Sequence, residues 1–566
     1  MLTELQTQFK KLSQLIAEKR FNELPRLGFL APGEFNWVRD IFEPLIVQEH
    51  GGNNMLELLS DESMETLTFQ QASEKCNQLL NFLHRHDIKK GERIFIMCGL
   101  QVGLWISYLT AIKGGFILIP AASILSVNDV IYRFEKANPR VIISDADNVS
   151  KMDEALQRYK LHGEMKLLLD EKRDGWVSIE AIDEEDKKAI AASTKRDEDL
   201  FWFFTSGTTG MPKVAVHTHS SYPLGHLTTA AWIGLKSGDR HYNISQPGWA
   251  KFAWSCVFAP LNTGATVFVY KPKGRFVASD QLRVIQEYNI TTLCAPPTAL
   301  RLLIQEPLND YKFNLRECVS AGEPLNAEVI KIWKDGTGLE LRDGYGQTES
   351  TCMICNLPGN KIRFGSMGNP SFLYDIVIVD ADGKELPLFE TGQIAVRIHP
   401  NQLSGLFISY LEDEKRMKEV FKHGLYYTGD KAYKDSDGYF WFVGRDDDVI
   451  KSSDYRIGPF EVESALLEID EIFESAVVGS PHAVKGQEIK AYIVLKSNLS
   501  GSDELAAKIF SYCRKQLAPY KVPRILQFVQ ELPKTISGKI RRIELRAEEE
   551  QRRILNTTAE QEYFLR

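Results

Sequence analysis

The sequence predicts an α/β protein: a large N-terminal domain of layered α/β subdomains plus a β-rich subdomain, followed by a small, mobile α+β C-terminal domain. Up to about residue 300, short apolar runs alternate with longer helical patterns, the order that produces parallel strands buried on both faces. After about residue 374 the strands shorten and turn dipeptides multiply. At 444–448 a charged cluster, G-R-D-D-D, precedes a segment of different composition. With 566 residues, 43% of them hydrophobic, the chain can bury more than one core.

The opening stretch MLTELQTQFKKLSQLIAEKR has the apolar spacing of an amphipathic helix. It lacks the basic-then-apolar order of a secretion signal, and Glu4 and Glu18 argue against an acid-poor transit peptide. Between Arg93 and Lys113 no residue is charged, a length that could span a bilayer. That run nevertheless begins as I-F-I-M-C, breaks at Gly99, passes polar Gln101 and ends at Gly114 and Gly115 before F-I-L-I-P. It reads as strand, helix, strand in a buried βαβ unit, not as a membrane span. A helix near 127–138 leads into R-V-I-I-S-D, and K-L-L-L-D (166–170), T-V-F-V-Y (266–270) and T-T-L-C-A-P-P supply further strands. D-A-D-G (380–383) and D-S-D-G (435–438) mark turns of the β-rich part. Three adjacent carboxylates repel one another and resist burial, so the expected division is 1–444 as N-terminal domain, 445–448 as hinge and 449–566 as C-terminal lid. The lid reads as an S-A-L-L-E-I-D helix, two strands and a basic tail.

The charge balance, 68 Lys plus Arg against 76 Asp plus Glu, gives no reason to expect nucleic acid as a partner and leaves small molecules. Eight scattered cysteines suit a reducing, cytoplasmic setting. Cys352 and Cys355 form a C-x-x-C that no second pair or nearby histidines complete, so they read as small buried residues.

The stretch F-F-T-S-G-T-T-G-M-P-K-V-A-V-H (203–217) leaves an apolar strand and places hydroxyls of Thr205, Ser206, Thr208 and Thr209 among Gly207 and Gly210, with Lys213 beyond. Freed backbone N–H groups and hydroxyls can converge on an anion. No G-K-[ST] closes it, which disfavours a Walker A loop, and an ordinary Ser/Thr/Gly surface turn is the competing reading.

That loop resembles the signature of the adenylate-forming superfamily of acyl-CoA synthetases, luciferases and peptide-synthetase adenylation domains, and four further motifs follow in order. D-G-Y-G-Q-T-E-S (343–350) is similar to the second core motif, Y-T-G-D (427–430) to the ribose motif, G-R-D-D-D-V-I-K-S-S-D-Y-R-I (444–457) to the hinge motif and P-K-T-I-S-G-K (533–539) to the C-terminal lysine motif. A-G-E-P-L-N (321–326) and P-G-W-A-K (247–251) extend the likeness, which runs from about residue 50 and is strongest to the medium-chain acyl-CoA synthetase branch.

The resemblance implies ATP, Mg²⁺ and CoA as cofactor and cosubstrates, and assigns roles. Thr348 would bond the α-phosphate and Glu349 would hold Mg²⁺. Asp430, with two carboxylate oxygens, suits two ribose hydroxyls. Arg445 and Arg456 would contact phosphate or ribose; Gly322, Glu323 and Pro324 would line the adenine pocket, with Tyr345 stacking on the base and Asp343, Gly344 and Gln347 completing the nucleotide site. Lys539, on a loop after Ser537 and Gly538, would bring its cation between substrate carboxylate and departing phosphates. Asp447 would be the hinge about which the C-terminal domain swings between half-reactions. Lys539 would also be the target of a lysine acetyltransferase and deacetylase. Trp249 would wall the acyl pocket, and Gly346, where acetyl-CoA synthetases carry tryptophan, would leave depth for a longer acid. Asp454 departs from the family glycine near the CoA tunnel and adds a negative charge there.

The implied function is activation of a medium-chain, branched or aryl carboxylic acid as acyl-AMP, followed by transfer to CoA. Two alternatives stand beside it. One delivers to a carrier protein or stops at acyl-AMP, motivated by Asp454; the other is a non-catalytic nucleotide-binding regulator, against which Glu349, Asp430, Arg445 and Lys539 together speak. A homo-oligomer stays open.

Overall fold

The uncharged run between Arg93 and Lys113 folds as strand Arg93–Met97, helix Val102–Gly114 and strand Ile117–Pro120, with the two strands parallel. Gly115 caps the helix at φ 66°, and a Cβ there would meet Thr194 Cγ2 at 2.8 Å, so both backbone and space require glycine. The computed structural model describes residues 2–26, 31–60, 63–161, 163–205, 212–399, 402, 405–453, 455–482, 484–497, 499–535 and 539–565. Among them no helix is long and apolar enough to cross a membrane.

That βαβ unit belongs to an eight-stranded sheet, parallel from Val177–Ser178 through Asp199–Thr205. Beyond Asp199–Thr205 the direction reverses: Lys213–Thr218 pairs antiparallel with it, and Ser409–Tyr410 caps the edge. A nine-stranded sheet is parallel across Asn54–Ser60, Thr266–Lys271, Arg240–Asn243, Thr292–Ala295, Glu317–Ala321 and Leu341–Tyr345, with antiparallel strands at both edges. The β-rich part expected after residue 374 is a five-stranded antiparallel sheet built on Leu425–Lys434. Its D-S-D-G turn is held by Asp435, whose Oδ1 accepts from the N–H groups of Asp437 and Tyr439.

The final sheet has six strands and a hydrophobic cluster of its own that includes Ile450, Val462, Leu466, Val477, Ile493 and Phe510. The segment read from sequence as a basic tail is instead structured. Helix Arg542–Ile554 carries both signs of charge, and Glu562–Phe564 returns as an edge strand beside Ile525–Phe528. Glu549 of that helix is buried against Lys490 at 2.5 Å, which fixes the helix to the sheet. The N-terminal stretch forms helix Glu4–Ala17 with a capping box between Thr3 and Gln6. All eight cysteines are buried and free, Cys352 and Cys355 among them.

Candidate active site

Parallel strands end in loops that can serve a ligand, and here two such ends open on a cavity of about 410 Å³. Strand Glu317–Ala321 delivers Gly322, Glu323 and Pro324, and strand Leu341–Tyr345 delivers the residues from Gly346 to Glu349. Gly322 stands at φ 105°, a conformation an L side chain adopts only with strain. Thr205 and Lys213 enter from the other sheet, Asp430 and Arg445 from the β-rich sheet, and Lys539 from the C-terminal part.

Asp430 is held from several sides. It is 5% exposed, and its Oδ2 accepts from the Tyr345 hydroxyl and from Gln347 Nε2, both at 2.6 Å. Gln347 is itself oriented by Thr428 O and the Tyr426 hydroxyl, each at 3.0 Å. Antiparallel register sets Arg445 directly opposite, with Nε 3.8 Å from Asp430 Oδ1. Burial pushes the Asp430 carboxyl above the usual carboxylate range, opposed by Arg445 and by the two donors. Tyr345 is therefore tied to Asp430 through its hydroxyl, with its ring on the cavity wall.

Glu349 accepts from the Tyr410 hydroxyl at 2.7 Å, and Lys213 Nζ lies 5.8 Å from the centre of the Tyr410 ring. Burial lowers the Lys213 ammonium below its usual value. Thr348 is placed through its carbonyl, which accepts from His217 Nε2 at 2.7 Å. His217 is buried and pushed down to about 4, so it stays neutral and donates from Nε2. Asp343 is buried too, with Oδ1 accepting the N–H of Gly344 at 2.9 Å; burial raises its carboxyl well above the usual range. A Cβ on Gly344 would meet Trp232 Cε2 at 2.4 Å, so that strand runs flush against the indole.

The Lys539 N–H donates to Thr535 Oγ1 at 3.0 Å, and its carbonyl accepts from Thr535 N at 2.6 Å. The ammonium field reaches Asp430 and Lys251. The three adjacent aspartates divide their partners. Asp446 pairs with Lys431 of the β-rich sheet at 2.7 Å, while Asp448 pairs with Arg546 and, at 3.8 Å, Arg542 of the C-terminal helix. Asp447 between them meets only Arg445 among the described residues, at 3.7 Å.

Three expectations meet a different arrangement. Arg456 is not on the cavity. In the hairpin Ile450–Ser452 with Tyr455–Ile457, the facing Ile450 and Ile457 point inward, which turns Arg456 to solvent, where Nη1 bonds the carbonyl of Tyr455. Trp249 does not line the cavity either; it packs against the apolar cluster of the first sheet that includes Phe95 and Phe134. The room beside Gly346 is already filled, since a Cβ there would lie 2.3 Å from Trp254 Cη2. Ser206, Gly207, Thr208, Thr209, Gly210 and Asp454 lie outside the described residues.

The cavity also gathers Arg301, Arg416, Tyr410, Arg542 and Arg546, none of which the sequence singled out. Arg416 sits in helix Glu414–Val420, whose mixed charges read as a solvated surface. Arg301 stands 3.4 Å from Glu323 and 3.9 Å from Glu474 of the last sheet, and Asn326 Nδ2 donates to Ser464 Oγ at 3.0 Å, so the cavity is closed partly by contacts between the two bodies.

Residues 49–407 match the family of AMP-binding enzymes, and residues 461–539 match the AMP-binding enzyme C-terminal domain. This chain belongs to the AMP-binding enzymes. The AMP-binding enzyme is 48% identical over 552 residues to the 4-hydroxybutyrate–CoA ligase 1 of Metallosphaera sedula, covering 96% of each chain. It is 39% identical over 531 residues to the mitochondrial acyl-coenzyme A synthetase ACSM3 of Mus musculus, covering 92% of this chain and 91% of the other. Among solved structures, the anthranilate CoA ligase AuaEII in complex with anthranoyl-AMP superposes with a TM-score of 0.84 at 29% identity, covering 93% of this chain and 99% of that one. Each of these matches runs across both the larger body and the C-terminal part.

Proposed function

We propose that this AMP-binding enzyme is an ATP-dependent acyl-CoA synthetase acting on a carboxylic acid longer than acetate. The observation that carries the proposal is convergence: Thr348, Glu349, Asp430, Arg445 and Lys539, drawn from separate elements, line one cavity. The relatives named as CoA ligases for 4-hydroxybutyrate and anthranilate support an acid of this class.

In the first half-reaction a carboxylate oxygen attacks the α-phosphorus of ATP, the P–O bond to pyrophosphate breaks, and acyl-AMP forms. Two anions meet in that step, so the site must supply cations and fixed donors. Lys213 and Lys539 meet the phosphates, Thr348 bonds the α-phosphate, and Asp430, already buried and oriented, receives the ribose hydroxyls. No cluster of three or more His, Cys, Asp or Glu able to hold a metal unaided occurs among the described residues. A single carboxylate, Glu349, held by the Tyr410 hydroxyl, would be the ligand of a Mg²⁺ ion carried in by the nucleotide. Bound there, the ion would neutralise phosphate charge.

In the second half-reaction the CoA thiolate attacks the acyl carbon and AMP leaves with its phosphate oxygen. Lys539 on the cavity wall corresponds to the first pose, and Asp447, with anchored aspartates on either side, is where the C-terminal part would turn to admit CoA. Acylation of Lys539 would remove its cation and silence the first step.

The test is incubation of purified protein with Mg-ATP and acids from acetate through hexanoate, 4-hydroxybutyrate and benzoate, with and without CoA, following pyrophosphate and acyl-CoA. Acyl-CoA formed best above two carbons is the expected result. Pyrophosphate with acyl-AMP but no acyl-CoA would replace CoA with another acceptor, and no turnover of any acid would overturn the proposal.

A further inference from the structure

Helix Glu414–Val420 turns one face to the cavity. Arg416 and Val420, four residues apart and so on one side of the helix, both line it, while Glu414, Lys415, Lys418 and Glu419 are exposed. Asp413 caps the helix by accepting the Arg416 N–H at 3.0 Å. Met417 Sδ accepts the Tyr410 N–H at 3.2 Å, which docks the helix on the strand that carries Tyr410. Tyr410 in turn organises the end of the site assigned above to the phosphates. Its hydroxyl holds Glu349 at 2.7 Å, and its ring centre lies 5.8 Å from Lys213 Nζ.

The Arg416 guanidinium is fastened on one edge only. Nη1 donates to Glu419 Oε2 at 2.9 Å, on the exposed side of the helix. Nε has no accessible surface and no hydrogen-bond partner among the described residues. A guanidinium N–H out of water and without an acceptor is costly unless something supplies one. Arg542, also on the cavity wall, shows the filled arrangement: its Nε and Nη2 both donate to Glu463 Oε1, at 3.2 and 2.7 Å. Burial, and after it the charge of Arg416, lowers the Lys213 ammonium below its usual value, so the two cations share one field. Like charges gathered on one wall repel until an anion joins them.

We propose that Arg416 binds the pyrophosphate leaving group, its Nε and Nη2 N–H groups forking over the β- or γ-phosphate while Lys213 meets the same group as a point charge. This role rests on the synthetase reading above and falls to a residue which that reading left unused. Phosphate oxygens accept two parallel N–H bonds from a guanidinium, a fork that an ammonium does not offer. AMP carries only the α-phosphate and brings nothing to Arg416. When the P–O bond to pyrophosphate breaks, its electron pair stays on the departing oxygen. The charge that builds there falls on the group Arg416 holds, so Arg416 acts in the first half-reaction.

The test is calorimetric titration of Mg-ATP, Mg-pyrophosphate and AMP, without acid or CoA, into wild type, Arg416→Met, Arg416→Lys and Lys415→Met. Loss of the charged hydrogen bonds in Arg416→Met is expected to weaken Mg-ATP and Mg-pyrophosphate by about ten- to a hundredfold, with AMP affinity unchanged. Arg416→Lys, which keeps the charge and loses the fork, is expected to fall between. Lys415→Met removes a charge from the exposed side of the same helix and is expected to leave all three affinities as they are. Mg-ATP affinity untouched by Arg416→Met, equal weakening of Mg-ATP and AMP, or a loss shared by Lys415→Met would overturn the proposal. If Arg416→Met fails to fold, Arg416→Lys decides, and an unchanged ratio of Mg-ATP to AMP affinity in it would overturn the proposal. Wild type that binds Mg-ATP and turns over no acid removes the synthetase reading while the ATP-to-AMP ratio still decides on Arg416; wild type that binds neither nucleotide removes both.

Discussion

Replacing Gly346 with alanine adds one methyl, and its landing point can be stated. A Cβ would stand 2.3 Å from Trp254 Cη2 and 2.4 Å from the Thr351 carbonyl oxygen, against an ordinary carbon–carbon contact of about 3.5–4.0 Å. Thr351 has little room to retreat. Its N–H and hydroxyl both meet the Tyr374 hydroxyl, at 3.0 and 2.8 Å, and Oγ1 also meets Thr228 at 3.1 Å. The indole must therefore shift by more than about 1 Å to restore a normal contact, and it is packed against His226 with ring centres 5.6 Å apart. Overpacking of this kind costs about 1–3 kcal/mol. If the displaced indole intrudes on the acyl chain, that cost appears in kcat/KM as a loss of roughly ten- to a hundredfold. Pyrophosphate release across the acid panel, with thermal melting alongside, measures both. Trp254→Phe removes Cη2, so the Gly346→Ala, Trp254→Phe double variant is expected to recover most of the lost activity. Wild-type kinetics and melting in Gly346→Ala would refute the packing argument, and a loss the double variant does not restore would clear Trp254 of responsibility.

Asp430→Asn should separate stability from function. The carboxyl's folded pKa lies above its unfolded value, so between the two the native state binds more protons, and stability falls as pH rises through that window. At pH 7 to 8 the asparagine variant is expected to melt higher than wild type while binding ATP more weakly; a lower melting temperature would contradict the burial cost assigned to the acid. In the C-terminal sheet, Lys490→Met leaves Glu549 and Glu562 with Arg553 as their remaining counter-ion, at 2.6 and 2.7 Å. A loss of about 3–5 kcal/mol is expected in urea unfolding, and a change of less than about 1 kcal/mol would mean that the arginine suffices.

Much of the fold could be read from residue order because glycines, charges and turn dipeptides fall where elements end. The uncharged run after Arg93 is the clearest case: Gly99 and the Gly114, Gly115 pair separate strand from helix from strand. Motif order likewise identified the family, since Y-T-G-D and G-R-D-D-D put Asp430 and Arg445 on adjacent strands that then face each other. What residue order does not carry is which side of an element a residue occupies. Arg456 sits in a motif, but hairpin register turns it outward, and only the facing Ile450 and Ile457 decide that. Glycine at 346 suggests space, yet Trp254, on a separate helical segment, fills it. Pairing between distant segments is equally silent: Ser409–Tyr410 joins Lys213–Thr218 and so brings Tyr410 to Glu349.

The charges of the cavity suggest how the two half-reactions are kept in order. Several cations on its wall already hold carboxylates: Arg542 bonds Glu463 at 2.7 Å, and Arg546 bonds Asp448. Lys213 and Lys539 have no carboxylate within ion-pair distance among the described residues, and they come from opposite bodies of the protein. In the proposed reaction a triphosphate between them would be the counter-charge both lack, so nucleotide binding would favour the docked C-terminal part by differential affinity for that pose. Once pyrophosphate departs, most of that anion is gone, and acyl-AMP retains a single phosphate charge with which to hold Lys539. Release of pyrophosphate would then free the C-terminal part to turn about the proposed hinge at Asp447. Added pyrophosphate should accordingly slow CoA-dependent acyl transfer from preformed enzyme-bound acyl-AMP, beyond what reversal to ATP accounts for, and the effect should weaken with rising salt. Rapid-quench measurement with and without pyrophosphate decides it: a transfer rate indifferent to pyrophosphate once reversal is subtracted would show that Lys539 leaves the cavity without regard to the anion it came to meet.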